Sequence, residues 1–238
     1  MPHKRIVRAR RQVLVYWLVR FSMRISVGMS VGISIATPCA SLAAAEPNRI
    51  TILDPANLGD WQTEIFKSKT QYEKVTIDGY PAIQARSHDA ASGLVRKIKV
   101  DLTKTPYLHW RWRIDNVLQN VDEKTKQGDD YPARIYVIVS GGWFFWQTRA
   151  LNYVWSSNQP VGNTWPNAFT GNAVMLAVRS GDPQLKQWHN ETRNVLQDLA
   201  TYLHKSFTHI DAVAIMTDTD NSHQSASAYY GEIYFSAQ

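Results

Sequence analysis

The chain has 238 residues and a formal net charge of +6 at pH 7. Residues 1–45 hold seven of the 26 Lys and Arg residues and no acid, which leaves 19 basic residues against 20 acidic ones for the rest. Nucleic-acid binding needs a basic footprint on the folded domain, so it is excluded on charge; disulfides and thiol chemistry are excluded too, because the single cysteine, Cys39, lies in that first segment.

Residues 1–45 read as a cleavable leader. A basic stretch precedes a short apolar run, Ile25 to Ala36, and the small residues Ala43, Ala44 and Ala45 follow, with cleavage expected before Glu46. The apolar run is too short for a membrane span, which needs about 20 residues. Two starts compete. Arg10-Arg11-Gln12-Val13-Leu14 resembles a twin-arginine export signal, whereas Met23-Arg24-Ile25 would open an ordinary Sec signal, complete by itself. Pro38 before Cys39 spoils a lipid-attachment box. The expected compartment is the periplasm or the exterior, and residues 46–238 are expected to form one domain, large enough for a core without disulfides.

In chain order, short apolar runs alternate with polar turns. Strands are predicted at Arg49–Leu53, Tyr72–Ile77, Ala82–Arg86, Leu94–Leu102, Tyr107–Ile114, Arg134–Ser140, Leu151–Trp155, Ala173–Arg179, Ile210–Met216 and Tyr229–Phe235. The clearest is Tyr107–Ile114. Leu108, Trp110, Trp112 and Ile114 share one face, predicted to be core, and His109, Arg111, Arg113 and Asp115 share the other. One helix is predicted between Gln184 and Lys205, where Trp188, Thr192, Val195, Leu196, Leu199 and Leu203 recur at helical spacing, with Asp182-Pro183 as its start. Many short strands with one helix point to a mainly β protein: a single jelly-roll-like β-sandwich with the helix packed across it.

Three segments carry candidate chemistry. Asp129-Asp130 precede a strand that carries Arg134. They either balance Arg111, Arg113 and Arg134 as a structural cluster or leave an arginine fork free for a carboxylate or sulfate. Gly141-Gly142-Trp143-Phe144-Phe145-Trp146 sets four aromatics in a row, so Trp143 and Trp146 are candidates for stacking on a ligand ring unless the segment tucks under the helix. Thr217-Asp218-Thr219-Asp220-Asn221 offers alternating oxygens. Asp218, Asp220 and Asn221 are candidate ligands for a structural calcium, with a strand-ending turn as the alternative. The seven histidines show no metal-ligand spacing, and no phosphate loop or nucleophile elbow is present.

Trp110-Arg111-Trp112-Arg113, Gly128-Asp129-Asp130, Ala133 to Val137, Leu151 to Trp155, Trp188 to Asp198, Met216 to Asn221 and Ala228 to Ile233 together resemble a bacterial family known as domain of unknown function 3047. The resemblance covers most of residues 46–238 in order and implies exported proteins without an assigned activity. Where that family tends to carry an acid pair after its last tyrosines, this chain has Gly231-Glu232. The closing pattern also resembles the final strand of galactose-binding-like jelly rolls, found in several carbohydrate-binding modules, at the level of fold.

The leading functional expectation is a non-catalytic binding module for a glycan or similar polar ligand in the bacterial envelope, at Arg111, Arg113, Asp129, Asp130, Arg134, Trp143 and Trp146. It would need no cofactor beyond that calcium. The alternatives are a polysaccharide lyase or glycoside hydrolase using Asp129 or Asp130 with Arg111, Arg113 and His109, and a structural subunit of an envelope complex. Export itself has a direct test. N-terminal sequencing of protein from an exported fraction is expected to start at or near Glu46, and a chain still carrying Arg20 or Arg24 would contradict the leader.

Overall fold

The computed structural model describes residues 49–142, 145–181, 183 and 185–238. The leader, Cys39, Trp143 and Asp182 lie outside the described residues. Among them are thirteen strands and one α-helix: β1 (Ile50–Leu53), β2 (Gln62–Ile65), β3 (Gln71–Ile77), β4 (Tyr80–His88), β5 (Ala91–Asp101), β6 (Tyr107–Ile114), β7 (Ala133–Val139), β8 (Arg149–Ser156), β9 (Thr164–Asn167), β10 (Thr170–Ser180), β11 (His189–Asn194), α1 (Val195–Leu203), β12 (His209–Asp218) and β13 (Ser225–Ser236). They form two sheets. One runs β11-β6-β13-β4-β3, with β1 also on β13; the other runs β2-β5-β12-β7-β8-β10-β9. Every named pairing is antiparallel except β8 with β10. This is the β-sandwich with one helix that the strand pattern predicts.

The core lies between the sheets and follows from period-2 alternation. In β6, Leu108, Trp110, Trp112 and Ile114 are buried while Tyr107, His109, Arg111 and Arg113 are half-buried. Facing them from β8 are Tyr153 and Trp155. The Trp110 ring stacks on Tyr153 at 5.2 Å and Trp112 meets Trp155 at 5.8 Å. β7 is buried on both faces. Ala133, Ile135, Val137 and Val139 enter the core between the sheets, and Arg134, Tyr136 and Ile138 point to the outer face of the seven-stranded sheet.

Two sequence expectations are corrected here. The helix is nine residues long and starts at Val195, with Asn194 as its N-cap, Oδ1 accepting from the Gln197 N–H at 3.1 Å. His189–Asn194 is instead an edge strand paired residue for residue with β6, from His189 opposite Trp112 to Asn194 opposite Tyr107. Trp188 and Thr192 fit a helical period, yet the open edge of β6 claims this backbone, a competition that spacing within one segment does not reveal. The predicted clustering of Arg111, Arg113 and Arg134 also fails. All three alternate with core residues, but on different sheets, so Arg134 stands on the opposite outer face of the sandwich from the other two.

The helix packs its Val195 and Leu199 into the core. Asp198 fixes its position: it accepts the Tyr153 hydroxyl at 2.8 Å and a two-pronged contact from Arg193 at 2.6 and 2.8 Å. Truncating the centre of the aromatic core tests the register. Trp112 is fully buried, and Trp112→Ala is expected to cost about 3–5 kcal/mol in chemical denaturation. A midpoint equal to that of the wild type would contradict this packing.

Candidate functional site

β7 and β12 run antiparallel, with Arg134 opposite Met216, so the end of β12 lies beside the start of β7. This pairing joins two segments far apart in sequence: the Asp129-Asp130 loop entering β7 and the Asp218–Asn221 turn leaving β12. Asp130 reaches across 91 residues to accept from the Asn221 N–H at 3.0 Å, the Ser222 N–H at 2.6 Å and the Asn221 side-chain amide at 3.0 Å. Arg134 and Asp218 form a salt bridge in which both side chains are almost fully buried. Asp129, Asp130, Arg134, Asp218, Asp220 and Asn221 are thus one cluster.

The carboxylate oxygens of Asp130, Asp218 and Asp220 lie within 4.8 Å of one another. The calcium reading gains Asp130 as a third carboxylate. Against it, Asp130 already holds three N–H donors, Asp218 holds Arg134, and the Asn221 amide donates to Asp220 at 3.1 Å as well as to Asp130. The protein's own donors suffice to explain why these acids meet.

Arg134 is the cation at the centre. Burial works against its charge, but Asp218 and the other acids hold its proton well above the ordinary range. Burial also pushes Asp218 up against the pull of Arg134, and Asp130, Asp220 and Asp129 push it further. Asp129 is raised to about 6, chiefly by burial, against Arg134 and Asn167. In the same region burial raises Glu123 to about 7, although Ser156 and the Ser157 N–H bond to it. The proton of the Tyr131 hydroxyl goes to the Glu123 carbonyl at 3.3 Å.

The cluster continues along the outer face of the seven-stranded sheet. Tyr136 on β7 lies opposite Asn152 on β8, and Asn152 lies opposite Met175 on β10. Asn152 is therefore a diagonal neighbour of Arg134, within reach of a long side chain. Ala212 and Ala214 on β12 and Ala150 and Ala173 on β8 and β10 form a buried apolar cluster beside it. Tyr131 and Trp165 stack at 6.5 Å at one end of this face.

On this sheet face and the loop entering it, three buried polar atoms have no hydrogen-bond partner, Asp129 Oδ1, Arg134 Nε and Asn152 Oδ1, and Ser222 Oγ on the turn held by Asp130 is a fourth. Each residue is otherwise engaged. Asp129 Oδ2 accepts from Asn167 at 2.8 Å, Arg134 Nη2 donates to Asp218, and Asn152 Nδ2 donates to the Val174 carbonyl at 3.2 Å. Buried polar atoms are almost always paired, so four in one neighbourhood ask for an explanation.

The other expected site residues fall elsewhere. Arg113 pairs with Asp78 at 2.6 Å and Asp115 at 3.7 Å on the outer face of the six-stranded sheet. Arg111 shares that face, stacked between the Tyr80 and Trp188 rings. Trp146 is 55% exposed in the β7–β8 connection, where its carbonyl accepts from Asn172 at 2.7 Å. Asn152, Tyr136 and Asn167 were missed by the sequence reading. Asn152 carried a usable signal, a lone amide inside the apolar run Leu151 to Trp155.

The family model described as "Protein of unknown function (DUF3047)" matches residues 59–234. No curated protein matches the sequence. Among solved structures, the chain is similar to the K2 cleaved adhesin domain of Lys-gingipain (10% identity, 79% of this chain and 99% of that one, TM-score 0.41). It is also similar to the xyloglucanase domain of NopAA, a type three effector from Sinorhizobium fredii, in complex with cellobiose (9% identity, 75% and 93%, TM-score 0.41). A third is the Emp47p carbohydrate recognition domain (14% identity, 82% and 98%, TM-score 0.42).

The raised carboxyls give a stability signature. Between about pH 4 and 7 the folded chain keeps protons on Asp129 and Glu123 that the unfolded chain has released, so stability falls as pH rises through that window. Asp129 alone accounts for about 3 kcal/mol between about pH 4 and 6. Asp129→Asn is expected to flatten the melting-temperature slope there and leave the part due to Glu123; an unchanged slope would contradict the assignment.

Proposed function

We propose that this chain, which belongs to the DUF3047 family, is an exported, non-catalytic module that binds an uncharged glycan on the outer face of its seven-stranded sheet. The observation that carries this reading is the trio of unpartnered buried atoms, Asp129 Oδ1, Arg134 Nε and Asn152 Oδ1. Two are acceptors and one is a donor. A sugar hydroxyl both donates and accepts, so a set of hydroxyls completes all three, whereas an anion would serve only the donor. Charge supports the same choice. Asp218 already neutralises Arg134, and the remaining acids would repel a carboxylate or sulfate.

The arrangement favours binding over hydrolysis. Glycoside hydrolysis usually takes two carboxyl groups flanking the bond. Asp129 and Asp130 are adjacent in sequence but do different work: Asp130 is filled by three N–H donors, and only Asp129 keeps an open oxygen. Export rests on the leader sequence, and no helix among the described residues is long and apolar enough to cross a membrane.

The test is a screen of the chain from Glu46 onward against immobilised neutral and acidic oligosaccharides, followed by calorimetry on the neutral hits. Asn152→Ala and Asp129→Asn are each expected to weaken binding by about tenfold or more, since a buried hydrogen bond left unmade costs roughly 1–3 kcal/mol. Wild-type affinity in both variants, with melting showing them folded, would overturn the proposal.

A further inference from the structure

The opposite outer face carries a cation in a different state. Arg111 on β6 lies with its guanidinium carbon 3.9 Å from the Tyr80 ring centroid and 4.4 Å from that of Trp188. The two rings meet edge to face at 6.4 Å. Its neighbour on the same strand face, Arg113, is matched by Asp78 and Asp115. Arg111 has no hydrogen bond or ion pair with any described residue, and its Nε and the indole N–H of Trp188 are both buried without partners. Aromatic faces attract a cation but accept none of its N–H groups in the way an oxygen does.

The backbone is shaped to hold this side chain. β13 pairs with β6 through Tyr230 opposite Trp112 and Ile233 opposite Trp110, with an irregularity between. Gly231 falls in that irregularity, and a Cβ there would collide with Arg111 Cγ and Cδ. Glycine thus lets the arginine stem lie flat against β13 and pass between the two rings. Tyr80 is set by the turn before β4, where Asp78 and Gly79 both take positive φ, 53° and 79°. Tyr80 is 48% exposed. The guanidinium is fixed in advance, so little rotamer entropy remains to be lost when it takes a partner.

We propose that Arg111, with Tyr80 and Trp188, is a second binding site, specific for a single carboxylate or sulfate borne on a sugar ring. A guanidinium fork matches such planar or trigonal oxygen groups, and the exposed Tyr80 ring beside it offers a flat surface to the sugar. Asp78, Asp115 and Glu232 on the surrounding strands and turns limit the site to one isolated anion and disfavour dense polyanions. The site stands independently of the one on the seven-stranded sheet, because the core separates the two faces.

Calorimetry at about 50 mM salt with methyl galacturonide, which carries one carboxylate, its methyl ester and a monosulfated galactose disaccharide tests this. At least one of the two charged probes is expected to bind, the ester to bind at least tenfold more weakly than the free acid if the carboxylate is the one taken, and added salt to weaken binding. Arg111→Gln is expected to lose about 10–100-fold in affinity, and Arg111→Lys to recover only part of it because the charge returns without the fork. Gly231→Ala is expected to weaken binding similarly with every ligand-facing group retained. Should that variant fail to fold, Tyr80→Ala, on an exposed turn, serves in its place. Asn152→Ala should leave this binding unchanged. The proposal is overturned if neither charged probe binds, or if folded Arg111→Gln binds them like the wild type.

Discussion

Arg134 and Asp218 face each other across β7 and β12 with both charges out of water. Burying two charges is costly, and a pair in low dielectric survives only when its remaining hydrogen-bond capacity is met. Asp218 is also crowded by Asp130, Asp220 and Asp129, so one arginine holds together an excess of acid. Asp130 escapes by binding the N–H groups of the following turn, which ties β12 to the loop before β7. Asp129 is left with a raised carboxyl and one open oxygen. The shape of the loop end and the unfinished polar set beside it both follow from that one pair.

A core of pure stability would not be built this way. Replacing a buried ion pair by apolar residues of similar size is often neutral or stabilising, and the neighbouring positions Ile138, Ala150, Ala212 and Ala214 show that this face readily takes apolar side chains. Keeping Arg134, Asp129 and Asn152 there, each with an atom unsatisfied, has its simplest physical reason in a ligand that satisfies them. The opposite face offers the contrast. Among the described residues Arg111 has no carboxylate partner and is held by rings, so in the proposed reading the same side-chain type serves uncharged hydroxyls on one face and an anion on the other.

Much of the fold was legible in the sequence because period-2 alternation is local. Leu108, Trp110, Trp112 and Ile114 declare their face within eight residues, and all ten strands read from pattern are present. The strands missed, β2, β9 and β11, are short and polar, and their apolar partners lie on other strands. Both halves of the candidate site were also visible, Asp129-Asp130 and Asp218-Asp220-Asn221, but as separate motifs. Only the β7–β12 pairing makes them one, and pairing across such a distance leaves no local mark. The same limit explains the arginines. Alternation tells which face of its own strand a residue takes, not which sheet that strand joins, so the pattern alone groups Arg134 with Arg111 and Arg113 although the core divides them.

The most direct measurement is the Arg134 Nε–H resonance, observed by nitrogen-15 NMR as a neutral oligosaccharide is titrated in. The account predicts that this resonance shifts and becomes protected from solvent exchange as the glycan saturates, while that of Arg111 stays in place. A bound neutral glycan that leaves Arg134 unmoved and shifts Arg111 would contradict it.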